Sequence, residues 1–251
     1  MRLALLLLGL VPIPSVRLSQ QTLKEFHAYM EVADRSMIQR AQDKVRISVP
    51  ANGDPQISPW DSNGPRGLTD GLIHDWIAAS FIPKAKAEDV VAVLQDYASY
   101  HEMYKPDVLD TRLISQNGNT RKVTMRTLKK KVITMILDID YDIEYRAFPN
   151  GRVQVWSRST SVREVENAGK ADETRMKPDR GAGFLWRLNT YWQLEDWDGG
   201  VYMECRAISL TRDIPTGAGW IVKPMITALP RESLTNVLNF TRAAVEARLK
   251  N

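Results

Sequence analysis

Ile133-Thr134-Met135-Ile136-Leu137-Asp138-Ile139-Asp140-Tyr141-Asp142-Ile143-Glu144-Tyr145 is the stretch on which the fold turns. Ile133, Met135, Leu137, Ile139, Tyr141, Ile143 and Tyr145 alternate with Thr134, Asp138, Asp140, Asp142 and Glu144, and only Ile136 breaks the pattern. Successive side chains of a strand point to opposite faces. The alternation therefore predicts an antiparallel strand with one buried face and one wet face. Toward the C-terminus, Pro149-Asn150-Gly151 turns the chain into a second strand, Arg152 to Val165, rich in Ser and Thr. Asn167 to Arg180 reads as a polar loop. Phe184 to Trp197 and Val201 to Asp213 flank Asp198-Gly199-Gly200 and predict a hairpin, ended by Ile214-Pro215-Thr216-Gly217. The last element is a long helix. Pro230 suits its first turn, and Leu234, Val237, Leu238, Thr241, Ala244, Val245 and Leu249 form its apolar stripe.

Toward the N-terminus the pattern is just as readable. Arg121 to Lys130 and Val108 to Ser115 flank the turn signal Asn117-Gly118-Asn119. Ala87 to Tyr97 reads as a helix with Glu88 and Asp89 in its first turn, where the helix dipole favours them. Tyr97 to Tyr104 adds a short helical turn that ends before Pro106. Ile73 to Ile82 is a strand stopped by Pro83. The predicted order is strand, two short helices, about six antiparallel strands and a long helix. The fold class is α+β: about seven antiparallel strands, two short helices and a long C-terminal helix, with an extra N-terminal helix ahead of them.

Ahead of this body lie two further regions. Leu23, Phe26, Tyr29 or Met30, Ala33, Met37 and Ala41 recur at helical spacing and predict an amphipathic helix from Thr22 to Val45. Ser48 to Gly71 is rich in Pro and Gly and reads as a draped loop, with Trp60 as its apolar pin. At the start, Arg2 precedes an apolar run from Leu3 to Val11, then Pro12 and Pro14. The run is shorter than the roughly 20 residues a spanning helix needs. It fits a secretory signal and implies an exported protein, periplasmic or extracellular. The alternatives are an uncleaved anchor and a misassigned start. The organisation is a signal segment over 1–19, an amphipathic helix and linker over 20–71, and the main α+β domain over 72–251.

Several segments are similar to those of the START-like superfamily, also called SRPBCC, with its lipid-transport and polyketide-cyclase-like branches. They are Val91-Ala92-Val93-Leu94-Gln95-Asp96-Tyr97 with Tyr104-Lys105-Pro106, Gly183-Phe184-Leu185-Trp186-Arg187-Leu188-Asn189-Thr190-Tyr191-Trp192, Gly200-Val201-Tyr202-Met203-Glu204-Cys205, and Pro230-Arg231-Glu232-Ser233-Leu234. The resemblance spans about Leu72 to Lys250, its short motifs look like those of exported bacterial members of uncharacterised function, and it leaves the N-terminal helix outside. It implies the helix-grip fold. A curved sheet cannot touch a long helix everywhere, and the gap becomes an apolar cavity suited to a ligand. In such proteins the cavity usually takes lipids, sterols, isoprenoids or polyketides.

The chain has 251 residues, 43% hydrophobic and 25% charged, as expected of an ordinary globular protein. The net charge of +4 is spread over mixed signs. Lys129-Lys130-Lys131 is soon followed by Asp138 and Asp140, so a solvated sheet face is read here and not a nucleic-acid surface. The single cysteine, Cys205, has no internal disulfide partner and reads as a packed strand residue. His27, His74 and His101 have no paired spacing, and Asp138, Asp140 and Asp142 share one extended face, so no metal and no cofactor are expected. No G-x-S-x-G elbow or phosphate loop is present, and no catalytic residue is assigned.

Candidate ligand-contacting residues come from the strands and the terminal helix. Trp186, Leu188, Thr190 and Trp192 share one strand face; Arg187, Asn189 and Tyr191 share the other. Trp156 and Arg158 extend either face from the neighbouring strand. Glu204 and Arg206 share a face and are either a head-group reader, if buried, or a surface ion pair. Tyr104 stands near the cavity mouth, with Tyr97, Tyr100 and His101 beside it. Leu234, Leu238 and Thr241 face inward from the helix. Three functions compete. The first is a carrier of a hydrophobic small molecule. The second is a cofactor-free cyclase or aromatase using Tyr, Glu204 or Arg206 as acid–base groups. The third is a membrane- or partner-binding module acting through the Thr22 to Val45 helix.

Overall fold

The computed structural model describes residues 15–50, 53–61, 64–130, 134–213 and 219–250. Residues 1–14 of the signal segment, Lys131, Ile133 and Ile214-Pro215-Thr216-Gly217 lie outside the described residues. The elements are β1 (Val16–Arg17), α1 (Gln20–Gln42), β2 (Gln56–Pro59), β3 (Arg66–Leu68), β4 (Gly71–Pro83), α2 (Ala87–Gln95), a 3-10 turn (Tyr97–Ser99), α3 (Tyr100–Met103), β5 (Val108–Asn117), β6 (Thr120–Lys130), β7 (Thr134–Ala147), β8 (Val153–Glu166), β9 (Thr174–Arg175), β10 (Arg180–Gly181), β11 (Arg187–Trp197), β12 (Gly200–Arg212) and α4 (Gly219–Arg248).

One sheet runs β2-β4-β12-β11-β8-β7-β6-β5, with β3 added to β4 and β9 to β8. Its pairs are antiparallel. The long strands β4, β5, β6, β7, β8, β11 and β12 are those anticipated; the short ones are additions. The β5–β6 hairpin turns at Asn117-Gly118-Asn119, where Gly118 takes φ 53°. Helix α4 starts well before Pro230, which therefore lies inside it. Proline has no N–H to donate to the carbonyl of the preceding turn.

The sheet has two covered faces. The inward face carries the main core together with α2, α3 and α4, through residues such as Val90, Leu94, Leu194, Met203, Leu238 and Val245. The other face is covered by α1. Ser19 caps that helix: its Oγ accepts from Thr22 N–H at 3.0 Å. Phe26, Met30, Ala33 and Met37 pack on Ile73, Trp156, Trp186, Tyr191, Ile208 and Leu210. The helix ends at Asp43 and Lys44, the latter with φ 53°, and Val45 N–H closes on Arg40 C=O at 3.1 Å. Its apolar stripe thus faces the sheet, and no helix among the described residues is long and apolar enough to cross a membrane. Strand β1 pairs with β10, and Leu18 is buried in the α1 layer, so residues 16–19 are built into the fold.

Candidate functional site: an apolar cavity

Between the inward face of the sheet and α4 lies a cavity of about 250 Å³. The inward set of β7 forms much of one wall: Met135, Leu137, Ile139, Tyr141, Ile143 and Tyr145. Val155, Leu188, Trp192, Cys205 and Ala207 continue it across β8, β11 and β12. Leu229, Leu234, Val237 and Phe240 of α4 form the roof, and Leu94, Tyr100 and Tyr104 close one end. The alternation read along 133–145 is therefore the wall of the cavity.

Most tyrosines around it are tied down. The last carbonyls of a helix lack partners within it, and Leu94 C=O near the end of α2 accepts from Tyr100 Oη at 2.7 Å and Tyr145 Oη at 3.0 Å. Tyr97 and Tyr145 share a hydrogen bond of 2.8 Å. Tyr104 Oη meets Thr241 Oγ1 at 2.9 Å, and Thr241 donates onward to Val237 C=O at 2.7 Å. Burial raises Tyr104 to about 12. Burial also pushes the Cys205 thiol well up, so it lines the cavity in its neutral, unreactive form. At one edge Lys129 Nζ pairs with Asp107 at 3.1 Å, and Asn236 reaches the same carboxylate at 3.4 Å.

Trp192, Tyr104 and Leu234 line the cavity. Leu238 and Thr241 are fully buried beside it and do not line it. The remaining candidates do not face it. Trp156, Arg158, Arg187, Asn189, Tyr191, Glu204 and Arg206 stand on the opposite face of the sheet, toward α1. Trp186 precedes β11, where alternation does not yet apply, and joins the α1 layer.

The physical reason is the second covered face, which gives buried polar side chains partners of their own. Glu204 accepts from Arg40 at 2.7 Å and from Tyr202 Oη at 2.6 Å. Arg206 donates to Asp75 at 2.9 Å and to Ser36 Oγ at 2.9 Å. Asp34 takes Arg158 at 2.8 Å and also Tyr191. Arg187 pairs with Asp179 at 2.7 Å, and Asn189 Oδ1 accepts from Ser159 N–H at 3.2 Å. Tyr191 meets Trp156 edge to face at 5.0 Å. Trp60 lies under Arg206 at 3.5 Å, a cation–π contact. The acid–base groups Glu204 and Arg206 are thus separated from the cavity by the sheet. His101 is exposed and holds Ala98 C=O at 2.9 Å. Asp138, Asp140 and Asp142 are paired on the outward face with Arg126, Arg163 and Lys122.

An antiparallel sheet packed against a long C-terminal helix, with two short helices after the first long strand, is a helix-grip arrangement. Similar solved structures include a STAR-related lipid transfer protein from Xanthomonas axonopodis, at 15% identity over 78% of this chain and 99% of that one, TM-score 0.47. The Zhui aromatase/cyclase from a Streptomyces is similar at 13% identity over 70% and 96%, TM-score 0.48. Human STARD10 is similar at 10% identity over 76% and 78%, TM-score 0.46. No family model and no curated protein matches the chain. At these identities and TM-scores the likeness says nothing of ligand or activity.

Proposed function

We propose that this protein is an exported binder or carrier of a hydrophobic small molecule held between the sheet and α4. The observation that carries the reading is the cavity of about 250 Å³ walled by apolar side chains. An apolar cavity of roughly 150 Å³ already takes a benzene-sized guest, so this one has room for a larger apolar body. Export is supported by the apolar run after Arg2. A cut before Val16 leaves β1 and the Ser19 cap intact, and a cut after Ser19 removes both.

The test is mass spectrometry of the organic extract from protein purified from its own host's envelope. One enriched apolar species is expected, and it should be lost from a Val237→Trp variant that fills the cavity yet still unfolds cooperatively. A blank extract from the wild-type protein, or a species retained by the filled variant, would overturn the reading.

A further inference from the structure

We propose that the cavity selects a neutral, multiply oxygenated guest over a plain hydrocarbon, through a band of hydroxyls from Tyr141, Ser157, Thr190 and Ser209. The proposal rests on the hydrophobic-ligand reading above and narrows it. All four residues line the cavity. They come from four adjacent strands, β7, β8, β11 and β12.

Register places them side by side. Thr190 is the direct partner of Ser157 across β11 and β8. Thr190 is also the partner of Ala207, and Ser209 stands two residues further along the same face of β12. Ser157 is the partner of Ile143, and Tyr141 stands two residues away on the same face of β7. Thr190 and Ser157 therefore stand about one strand spacing apart, roughly 4.8 Å, and Ser209 and Tyr141 flank them on the diagonals, at about 7–8 Å.

Their hydrogen bonding sets them apart from the other tyrosines of the wall. Tyr100, Tyr104 and Tyr145 each have a protein partner. Among the described residues no hydrogen bond engages the hydroxyl of Tyr141, Ser157, Thr190 or Ser209. Tyr141 and Ser209 are each 6% exposed. Burial is the sole cause of the upward shift of Tyr141, with no neighbouring charge or hydrogen bond contributing. A buried hydroxyl left unpaired is unfavourable, as Ser209 Oγ is here, and with the half-buried Ser157 and Thr190 and the Tyr141 hydroxyl beside it on an apolar floor the group matches a guest with several oxygens. The guest is neutral because the band contains no charged side chain, and the ionic pair at the cavity edge, Lys129 with Asp107, is already closed on itself.

The experiment compares naphthalene with 1,3-dihydroxynaphthalene, whose two oxygens stand about one strand spacing apart, by equilibrium dialysis against the full chain. The diol should bind about ten-fold more tightly than the hydrocarbon. The double variant Ser157→Ala with Thr190→Val should lose that preference and leave naphthalene binding unchanged. Tyr141→Phe should act in the same direction, and neither variant should lower the thermal midpoint, because each removes unpaired hydroxyls. Equal binding of the two probes to the wild-type protein would overturn the proposal, with the hydroxyls then satisfied by water. So would a diol preference that survives in the double variant. Binding of neither probe would instead bring down the hydrophobic-ligand reading, and this proposal with it.

Discussion

At the residue scale His74 is the group most at odds with its surroundings. It is 1% exposed on β4 and is the register partner of Ser209. Its Nε2 meets Thr211 Oγ1 at 3.2 Å, and its Nδ1 has no partner. Burial lowers it to about 4. The folded state thus refuses a proton that the unfolded chain accepts near pH 6.5. Between those two values the unfolded state binds more protons, so stability falls as the pH drops. From pH 7 to pH 5 the loss should be about 2 kcal/mol, and His74→Gln should lack it. Glu164 works with the opposite sign, since burial raises its carboxyl, but it is common to both proteins and cancels in the comparison. Urea unfolding of both at pH 7, 6 and 5 is the measurement. Parallel pH curves would mean that His74 is protonated or solvated in the folded state.

The same scale shows where sequence reading stops. Period-two alternation sorted Arg187, Asn189 and Tyr191 from Leu188, Thr190 and Trp192 correctly. It could not say which set meets the ligand. In a sheet with one wet face the polar set would be outside, and any buried Glu204 or Arg206 would then have to be in the cavity. Here α1 covers the second face, so Glu204 is buried without being a ligand reader. The hydroxyl band went unseen because Tyr141, Ser157, Thr190 and Ser209 lie far apart in sequence. Only strand register brings them together.

At the element scale α1 is an integral layer. Its existence was legible from apolar spacing, and its destination was not, because an amphipathic stripe fits a membrane, a partner or the protein's own sheet equally well. What decides is complementarity on the back of the sheet. Arg152 of that face donates to Glu195 at 2.7 Å and to the carbonyls of Arg40 and Val45 at the end of α1, at 2.8 and 3.0 Å. Gln154 donates to Met37 C=O at 2.7 Å. Arg40 is the side-chain counterpart, held against the fully buried Glu204. Removing one partner of a buried pair leaves an uncompensated charge, so Arg40→Met should cost about 3 kcal/mol. Arg40→Met combined with Glu204→Gln should recover at least half of it. The urea midpoints of the single and double variants decide the matter. A single-variant cost below about 1 kcal/mol would be that of an exposed pair, and α1 would then dock far more loosely than its contacts imply.

At the scale of the whole molecule the two faces of the sheet are unequal. The α1 face combines apolar packing with ion pairs; the α4 face leaves about 250 Å³ unfilled. Packing lost to a void is stability lost, so ligand occupancy should be felt on one side only. A guest that binds the folded state alone stabilises it by about 2.7 kcal/mol at a hundred times its dissociation constant. For a chain of this length that is a rise of several degrees in thermal midpoint. Hydrogen exchange tells where the gain resides. The roof of the cavity, Leu229 to Thr241 of α4, and the end wall of α2 and α3 contact the guest or lie beside it, so their amides should slow. Amides of α1 between Phe26 and Met37 meet only the other face of the sheet, and they should keep their free-state rates while local opening governs exchange. Equal protection of α1 and α4 by a bound guest would mean that the sheet transmits occupancy to its back layer. The two layers would then open as a single cooperative unit, and the ion pairs of α1 would belong to the energetics of ligand binding as well as of folding.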